Sequence, residues 1–270
     1  ADFDVMWPSL GNGGIVFENG GYLHLYDIAS KQEKQLAVQI PGERDQAMKR
    51  WTSATKQITD FDISPDGKRA AFAARGDIFT VPAKDGSTRN LTRTTGIREQ
   101  KVSWSPDGKW IAYTSDRTGE DEIYIEPQDG MGKEQAITTG YKGFKFAPAW
   151  SPDSKKIAWA DKDLQVWYVD VAEKKPVLIE KPVRAGAYSK DVYGEINDYV
   201  WSPDSKWISY SKPSENGNSA LYLYSLATAK ITPVTTNFYN SNLPVFDPEG
   251  KYLYFLSDRD YNEVLGQIVA

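Results

Sequence analysis

The sequence predicts an all-β fold, a β-propeller built from four-stranded antiparallel blades, and three observations predict it. A turn motif of the Ser-Pro-Asp-Gly type recurs at intervals of 41, 46, 51 and 45 residues, counted between Pro65, Pro106, Pro152, Pro203 and Pro248. Each copy is followed by short runs rich in β-branched and aromatic residues, which favour strands. No stretch shows sustained helical periodicity. Four short strands in a repeat of about 45 residues are typical of propeller blades.

The turn motif has a conformational basis. Proline fixes φ for a type I turn, and the final Gly takes the left-handed conformation. Ser154 and Ser205 replace that Gly, so we expect both at positive φ, at a cost of a few tenths to about 1 kcal/mol. An aromatic residue precedes each turn, in the order Phe61, Trp104, Trp150, Trp201 and Phe246. We interpret it as an inter-blade packing residue, with a sugar-stacking platform as the alternative.

Six repeats are recognisable, and we treat residues 1–270 as a single propeller domain. We place the blades at about 4–40, 60–93, 101–139, 147–181, 199–236 and 243–270. The last repeat is incomplete, with runs at Leu243–Phe246 and Tyr252–Leu256, a third run at Val264–Ala270 and no fourth. Ring closure normally needs a complete last blade, so we expect the chain to be an excerpt of a longer one.

Composition excludes several kinds of chemistry. The chain has no Cys and a single His, His24, which excludes disulfides, thiolate nucleophiles, Cys-ligated zinc and sites that need two imidazoles. A Ser-His-acid triad would have to use His24, whose alternating strand context indicates a packed or edge residue. Asp258–Glu263 begins like a calcium loop but lacks the Gly at its sixth position. We therefore expect no catalytic residue, metal or cofactor in this chain.

Two sets of loops meet on one predicted face and differ in charge. Loops that join successive blades carry a net charge of +4, whereas loops between the second and third strands carry −7, in a chain of net charge −5. The first set, which includes two long inserts at 41–60 and 181–198, is also rich in aromatic residues. A basic, aromatic funnel fits an extended peptide with a free carboxylate. Chance loop composition is the alternative.

We predict seven substrate-binding residues in this funnel: Arg44, Arg50, Trp51, Arg98, Lys145, Arg184 and Tyr188. The net acidic charge argues against a nucleic-acid partner. No apolar stretch approaches the roughly 18 residues of a membrane span.

The repeats resemble the propeller repeat of TolB and tricorn-type proteins, through the Ala149–Asp153 segment and its equivalents. A closer similarity covers nearly the whole chain and points to the second propeller of bacterial tricorn-type proteases. It rests on Gly20–Asp27, Asp60–Ala70, Gly76–Ala83, Arg89–Thr92, Leu164–Asp170 and Gly250–Leu256.

This resemblance implies a parent that is a large, oligomeric serine peptidase, with its nucleophile and a PDZ-like module in later domains. It also implies a seven-bladed propeller, open between its first and last blades, that admits peptides to the catalytic chamber, and it favours an extracytoplasmic location. No catalytic residue of the family can be placed on this sequence.

We therefore expect a non-catalytic propeller that gates or docks peptides through its axial funnel. Its expected partners are peptides or the remaining domains of a larger protease. The alternatives are a stand-alone TolB-like interaction propeller, an enzyme with its active site in the propeller, such as a glycosidase or lyase, and an engineered or excised propeller without activity.

Overall fold

The structure is a computed structural model that describes residues 3–39, 53–181, 198–214 and 216–259. These residues form 22 strands and one 3-10 turn, Thr55–Gln57. They belong to two compact units, Ala1–Thr52 (unit 1) and Ser53–Ala270 (unit 2), which are described separately. Within the described ranges, no helix is long and apolar enough to cross a membrane.

Unit 1 contains one four-stranded antiparallel sheet whose strands neighbour each other in chain order. The strands are β1 (Val5–Gly11), β2 (Gly14–Asn19), β3 (Tyr22–Asp27) and β4 (Gln32–Gln35). Gly20 and Gly21 link β2 to β3, both at positive φ. Two consecutive residues at positive φ are typical of the type I′ hairpin turn, whose twist matches that of the flanking strands.

Unit 2 contains, among its described residues, four four-stranded antiparallel sheets followed by a two-stranded one. The first two sheets comprise β5 (Ile58–Ile63), β6 (Arg69–Ala74), β7 (Asp77–Pro82), β8 (Arg89–Asn90), β9 (Glu99–Trp104), β10 (Trp110–Ser115), β11 (Glu122–Pro127) and β12 (Gln135–Ala136). The next two comprise β13 (Ala149–Trp150), β14 (Lys156–Ala160), β15 (Val166–Asp170), β16 (Val177–Glu180), β17 (Val200–Trp201), β18 (Trp207–Pro213), β19 (Ser219–Ser225) and β20 (Lys230–Pro233). The last comprises β21 (Ser241–Phe246) and β22 (Leu253–Ser257).

The predicted fold class is confirmed, because the described residues form successive antiparallel sheets with four strands per complete repeat. The third run expected in the last repeat, Val264–Ala270, lies outside the described residues. The interpretation of residues 1–270 as one domain stays a prediction.

The tryptophans that precede the turns pack between successive sheets. Trp104, Trp150 and Trp201 are only 6–8% exposed. Each belongs to an apolar cluster that combines residues of its own sheet with residues of the preceding sheet. The indole N–H of Trp201 also donates to the carbonyl of Ala149, at 3.0 Å, on the preceding inner strand. This supports the packing interpretation at these three positions.

The same burial does not extend to the two phenylalanine counterparts. Phe61 is 64% exposed, and Phe246 is half-buried. The burial of these two phenylalanines, both in unit 2, therefore does not support an inter-blade packing role for them.

The two serines in the turn motif lie at positive φ, as predicted, with φ of 58° for Ser154 and 59° for Ser205. Their hydroxyls have a role that the sequence did not indicate. Ser154 Oγ accepts the N–H of Asp107, at 2.9 Å, and Ser205 Oγ accepts that of Asp153, at 3.0 Å. Each hydroxyl therefore links its turn to the turn of the preceding sheet, which offsets part of the backbone strain.

We expect Ser205→Ala to lower the free energy of unfolding by about 1 kcal/mol, because it removes the hydroxyl and keeps a Cβ in the left-handed conformation. Ser205→Gly removes the same hydroxyl but relieves the strain, so its loss should be smaller. Urea unfolding of both variants measures the difference. Equal stability of the alanine variant and the wild type would contradict the stabilising role of this hydrogen bond.

A second prediction concerns the buried carboxylate of Glu126 in β11. Its Oε2 atom has no hydrogen-bond partner within the described part of the chain, and burial is the main reason why its pKa rises from 4.5 to about 7. Between these values the unfolded chain has released a proton that the folded chain retains. The free energy of unfolding therefore falls as pH rises through this window, and the penalty is fully present above about pH 7.

Glu126→Gln should remove this fall in the free energy of unfolding. Urea unfolding between pH 4 and 8 would measure the change. Glu173→Gln, at an exposed turn residue, is the matched control and should leave the pH dependence unchanged. A pH profile of Glu126→Gln that parallels the wild type would contradict the assignment.

Candidate functional site

One end of the sheets in unit 2 carries two kinds of loop that bind each other. We call this end the loop face. It comprises the inter-blade loops 91–98, 137–148 and 234–240 and the loops that follow second strands, described at 75–76, 116–121, 161–165, 214, 216–218 and 258–259. Carboxylates of the second kind accept backbone N–H groups of the first. Asp116 Oδ1 accepts from Arg98, Glu120 Oε2 from Gly143 and Asp258 Oδ1 from Asn240, each at 2.8 Å.

The charge contrast seen in the sequence is therefore partly used inside the protein. These acidic side chains satisfy backbone donors that would otherwise lack partners. The inter-blade loops are held in defined positions, and the remaining cations on this face determine what it can attract.

Lys145 is one of the predicted funnel residues, and its side chain is only 2% exposed. Its Nζ lies 3.2 Å from Glu122 Oε2 and donates to the carbonyl of Tyr141 at 3.0 Å. It also donates to the carbonyl of Asp121. Glu122 Oε1 in turn accepts the N–H of Tyr141 at 3.0 Å. Lys145 thus holds the 137–148 loop from inside, and a contact with a ligand stays an untested prediction.

Arg98, in contrast, is exposed and lines a cavity of about 500 Å³. The cavity lies where β5 and β9 begin, next to the two-residue turn between β6 and β7. Its lining residues are Gln57, Thr59, Arg75, Gly76, Arg98, Glu99 and Gln100.

The carboxylate in this lining, Glu99, is already paired. Its oxygens accept the Thr94 hydroxyl at 2.8 Å and an Arg117 N–H at 3.1 Å. Burial raises the pKa of Glu99, while these two partners oppose the rise. Arg117 is shared with a second carboxylate, Glu134. The lining itself carries two guanidinium groups, Arg75 and Arg98, against the single carboxylate of Glu99.

The wall of the cavity requires a close backbone approach at Gly76. The Gly76 carbonyl accepts the N–H of Glu99 at 2.9 Å. A Cβ at Gly76 would lie 2.8 Å from the carbonyl oxygen of Ile97, and its φ is +88°. Any side chain here would separate the β6–β7 turn from the loop that leads into β9.

Five of the predicted funnel residues lie outside the described residues, namely Arg44, Arg50, Trp51, Arg184 and Tyr188. Of the seven lining residues, only Arg98 was among the predicted funnel residues; Gln57, Thr59, Arg75, Gly76, Glu99 and Gln100 were not. Arg75 belongs to the loops between the second and third strands, whose summed charge is acidic. The available signal was an Arg-Gly pair at a two-residue hairpin turn where the first repeat has Gly-Gly.

An aromatic side chain projects from the same face. Phe238 is 78% exposed, yet its backbone is held by the amide of Asn218, which donates to the carbonyls of Asn237 and Phe238 at 3.1 Å each. The next residue, Tyr239, has the Arg259 guanidinium 5.0 Å from its ring centroid. Phe238 is therefore a fixed apolar projection on the loop face.

The residues considered for other chemistry have structural partners. His24 Nδ1 lies 2.7 Å from Glu33 Oε1, and its ring stacks on Phe17. Asp258, at the start of the segment compared with a calcium loop, holds Asn240. Across the described ranges, no three His, Asp or Glu side chains are grouped to hold a metal ion.

Comparison with known proteins adds the family. The family model described as the tricorn protease second beta propeller domain matches residues 58–269. A tricorn-like protease C-terminal subunit of Sulfurisphaera tokodaii is 27% identical over 94% of this chain and 28% of its own length. The tricorn protease homolog 1 of Streptomyces coelicolor is 25% identical over 94% of this chain and 24% of its own length. The chain thus spans about a quarter of the length of these relatives.

Solved structures show the same fold. The crystal structure of the tricorn protease aligns with a TM-score of 0.67 and 22% identity, covering 95% of this chain and 24% of that chain. The TolB structure from Agrobacterium tumefaciens aligns with a TM-score of 0.52 and 18% identity, covering 96% of this chain and 92% of that chain. At these identities the likeness concerns the fold alone, which is a β-propeller.

The buried pair of Lys145 and Glu122 leads to a prediction about the loop face. Lys145→Met leaves the Glu122 carboxylate buried without its cation, so we expect the free energy of unfolding to fall by about 3–5 kcal/mol. Adding Glu122→Gln removes the stranded charge and should restore part of the loss. Urea unfolding of the single and double variants tests this. A loss below about 1 kcal/mol in Lys145→Met would contradict the structural role.

Proposed function

The chain belongs to the tricorn protease second β-propeller family, and on that premise we propose that it is a non-catalytic propeller that docks peptide substrates on its loop face for a tricorn-like serine peptidase. The proposal assigns bond cleavage to other parts of such a peptidase. It is supported by relatives that are named as tricorn proteases or their homologues.

The observation that carries the proposal is the fixed geometry of the loop face. The inter-blade loops are held by side-chain carboxylates and amides, so little conformational entropy remains to be lost on binding. They present an exposed aromatic ring at Phe238 and a positively charged cavity at Arg98. Aromatic and arginine side chains dominate the binding energy of many protein interfaces. An extended peptide offers both apolar side chains and carboxylates to such a face.

Peptide docking can be tested with a fluorescein-labelled peptide of twelve residues with Phe near its centre, followed by fluorescence anisotropy. We expect saturable binding, and we expect Phe238→Ala to weaken it about tenfold, because an exposed aromatic anchor is lost. Met131→Ala is the matched control, since Met131 is 85% exposed in the β11–β12 turn at the opposite end of the sheets.

Two results would contradict the proposal. One is the absence of saturable binding at millimolar protein concentration. The other is equal binding by the wild type and Phe238→Ala, which would place any peptide site away from the loop face.

A further inference from the structure

We propose that the cavity lined by Arg75, Arg98 and Gln100 is an oxyanion-binding site that takes a carboxylate of the docked peptide. This inference rests on the proposed function in that the docked peptide supplies the carboxylate. It names a carboxylate as the ligand of this one cavity on the loop face.

The cavity lining has a surplus of hydrogen-bond donors. The guanidinium of Arg98 donates no hydrogen bond within the described ranges, whereas its backbone N–H donates to Asp116 Oδ1 and its carbonyl accepts the N–H of Asp116. The Nε2 atom of Gln100 is buried and has no partner among the same residues. Arg75 uses Nη1 on Gln57 Oε1, at 3.0 Å, and guanidinium has further N–H groups. A buried donor without a partner is costly, so a ligand that accepts from it is favoured.

Two acceptor side chains of the lining, Gln57 and Glu99, are already engaged. Gln57 Oε1 accepts from Arg75, and the carboxylate of Glu99 accepts from Thr94 and Arg117. The lining therefore lacks a free anion of its own to satisfy Arg98 and Gln100. A planar group with two oxygens and a negative charge matches this set, because guanidinium binds carboxylates in a two-pronged geometry.

Two carboxyl groups outside the lining, Asp116 and Asp121, lie near Arg98. Asp121 interacts electrostatically with Arg98, but Lys145 acts on it as well. Burial is the main influence on Asp121 and raises its pKa. The Lys145 ammonium also donates to the backbone carbonyl of this residue.

Arg75 has a left-handed backbone conformation, which favours glycine. Arg75 and Gly76 form the two-residue turn between β6 and β7, with φ of 57° and 88°. The corresponding turn of unit 1 is formed by Gly20 and Gly21, which adopt positive φ without a steric penalty. Arginine at this position therefore carries a steric cost that glycine would not, and its side chain lines the cavity.

The binding test compares one N-acetylated peptide, Ala-Ala-Phe-Ala-Ala, with a free C-terminal carboxylate or as the C-terminal amide. Isothermal titration of the full chain should show about tenfold tighter binding of the carboxylate form, the range expected for charge-assisted hydrogen bonds. Arg98→Gln and Arg75→Gly should each abolish this preference. Arg93→Gln is the matched control, because it removes the same charge from the same loop while its side chain donates to the carbonyl of Asn90.

A second readout separates binding from folding. Arg75→Gly relieves the left-handed strain, so its midpoint of thermal unfolding should rise by about 2 °C while the carboxylate preference is lost. A merely structural arginine would instead lower the midpoint when replaced.

Competition with inorganic phosphate tests whether the site takes a peptide carboxylate or a free phosphate. Competition by phosphate only at far higher concentration than the carboxylate peptide supports a peptide carboxylate, whereas preferential phosphate binding overturns that assignment.

Equal binding of the acid and amide forms of the peptide, with both weakened by Phe238→Ala, overturns the oxyanion site and leaves peptide docking standing. Loss of the preference in Arg93→Gln to the same extent as in Arg98→Gln also overturns the site. Absence of binding by both peptide forms overturns both proposals.

Discussion

The packing of each sheet against the sheet before it is the constraint on which the rest of unit 2 depends. A sheet of four short strands has two faces and cannot bury either alone. Neighbouring sheets bury their facing surfaces against each other, with Trp104, Trp150 and Trp201 packed between them. Two of these indoles also donate to the backbone of the preceding inner strand. These large side chains therefore help to set the spacing between sheets.

Because the sheets are fixed, the loops at their ends are brought within hydrogen-bonding reach of each other. At the turn end, the hydroxyls of Ser154 and Ser205 connect successive turns. At the loop face, carboxylates such as Asp116 and Glu120 hold the inter-blade backbone. A surface built in this way is rigid, so the side chains of Arg98 and Phe238 are presented without a large loss of entropy on binding.

The candidate site was only partly predictable from sequence. Arg98 was expected and lines the cavity. Gln100, also in the lining, was missed because an amide in a strand carries no sequence signal of its own. Arg75 was missed because the charge of the loops between second and third strands was summed over the whole set, and a single cation disappears in an acidic sum. Lys145 was expected as a ligand contact, but it proves to be buried against Glu122, which depends on contacts between segments.

The sequence by itself determined the repeat, the turn chemistry and the order of strands, because these depend on residues a few positions apart. The positive φ of Ser154 and Ser205 is an example, since it follows from their place in the motif. Only the tertiary structure decided which charges are consumed inside the protein and which remain available. Lys145 and Arg98 are both cations of inter-blade loops, yet Lys145 is buried in an ion pair with Glu122, whereas the Arg98 guanidinium lines an open cavity and has no hydrogen-bond partner among the described residues. Burial and pairing are properties of the surroundings in space, which no local pattern encodes.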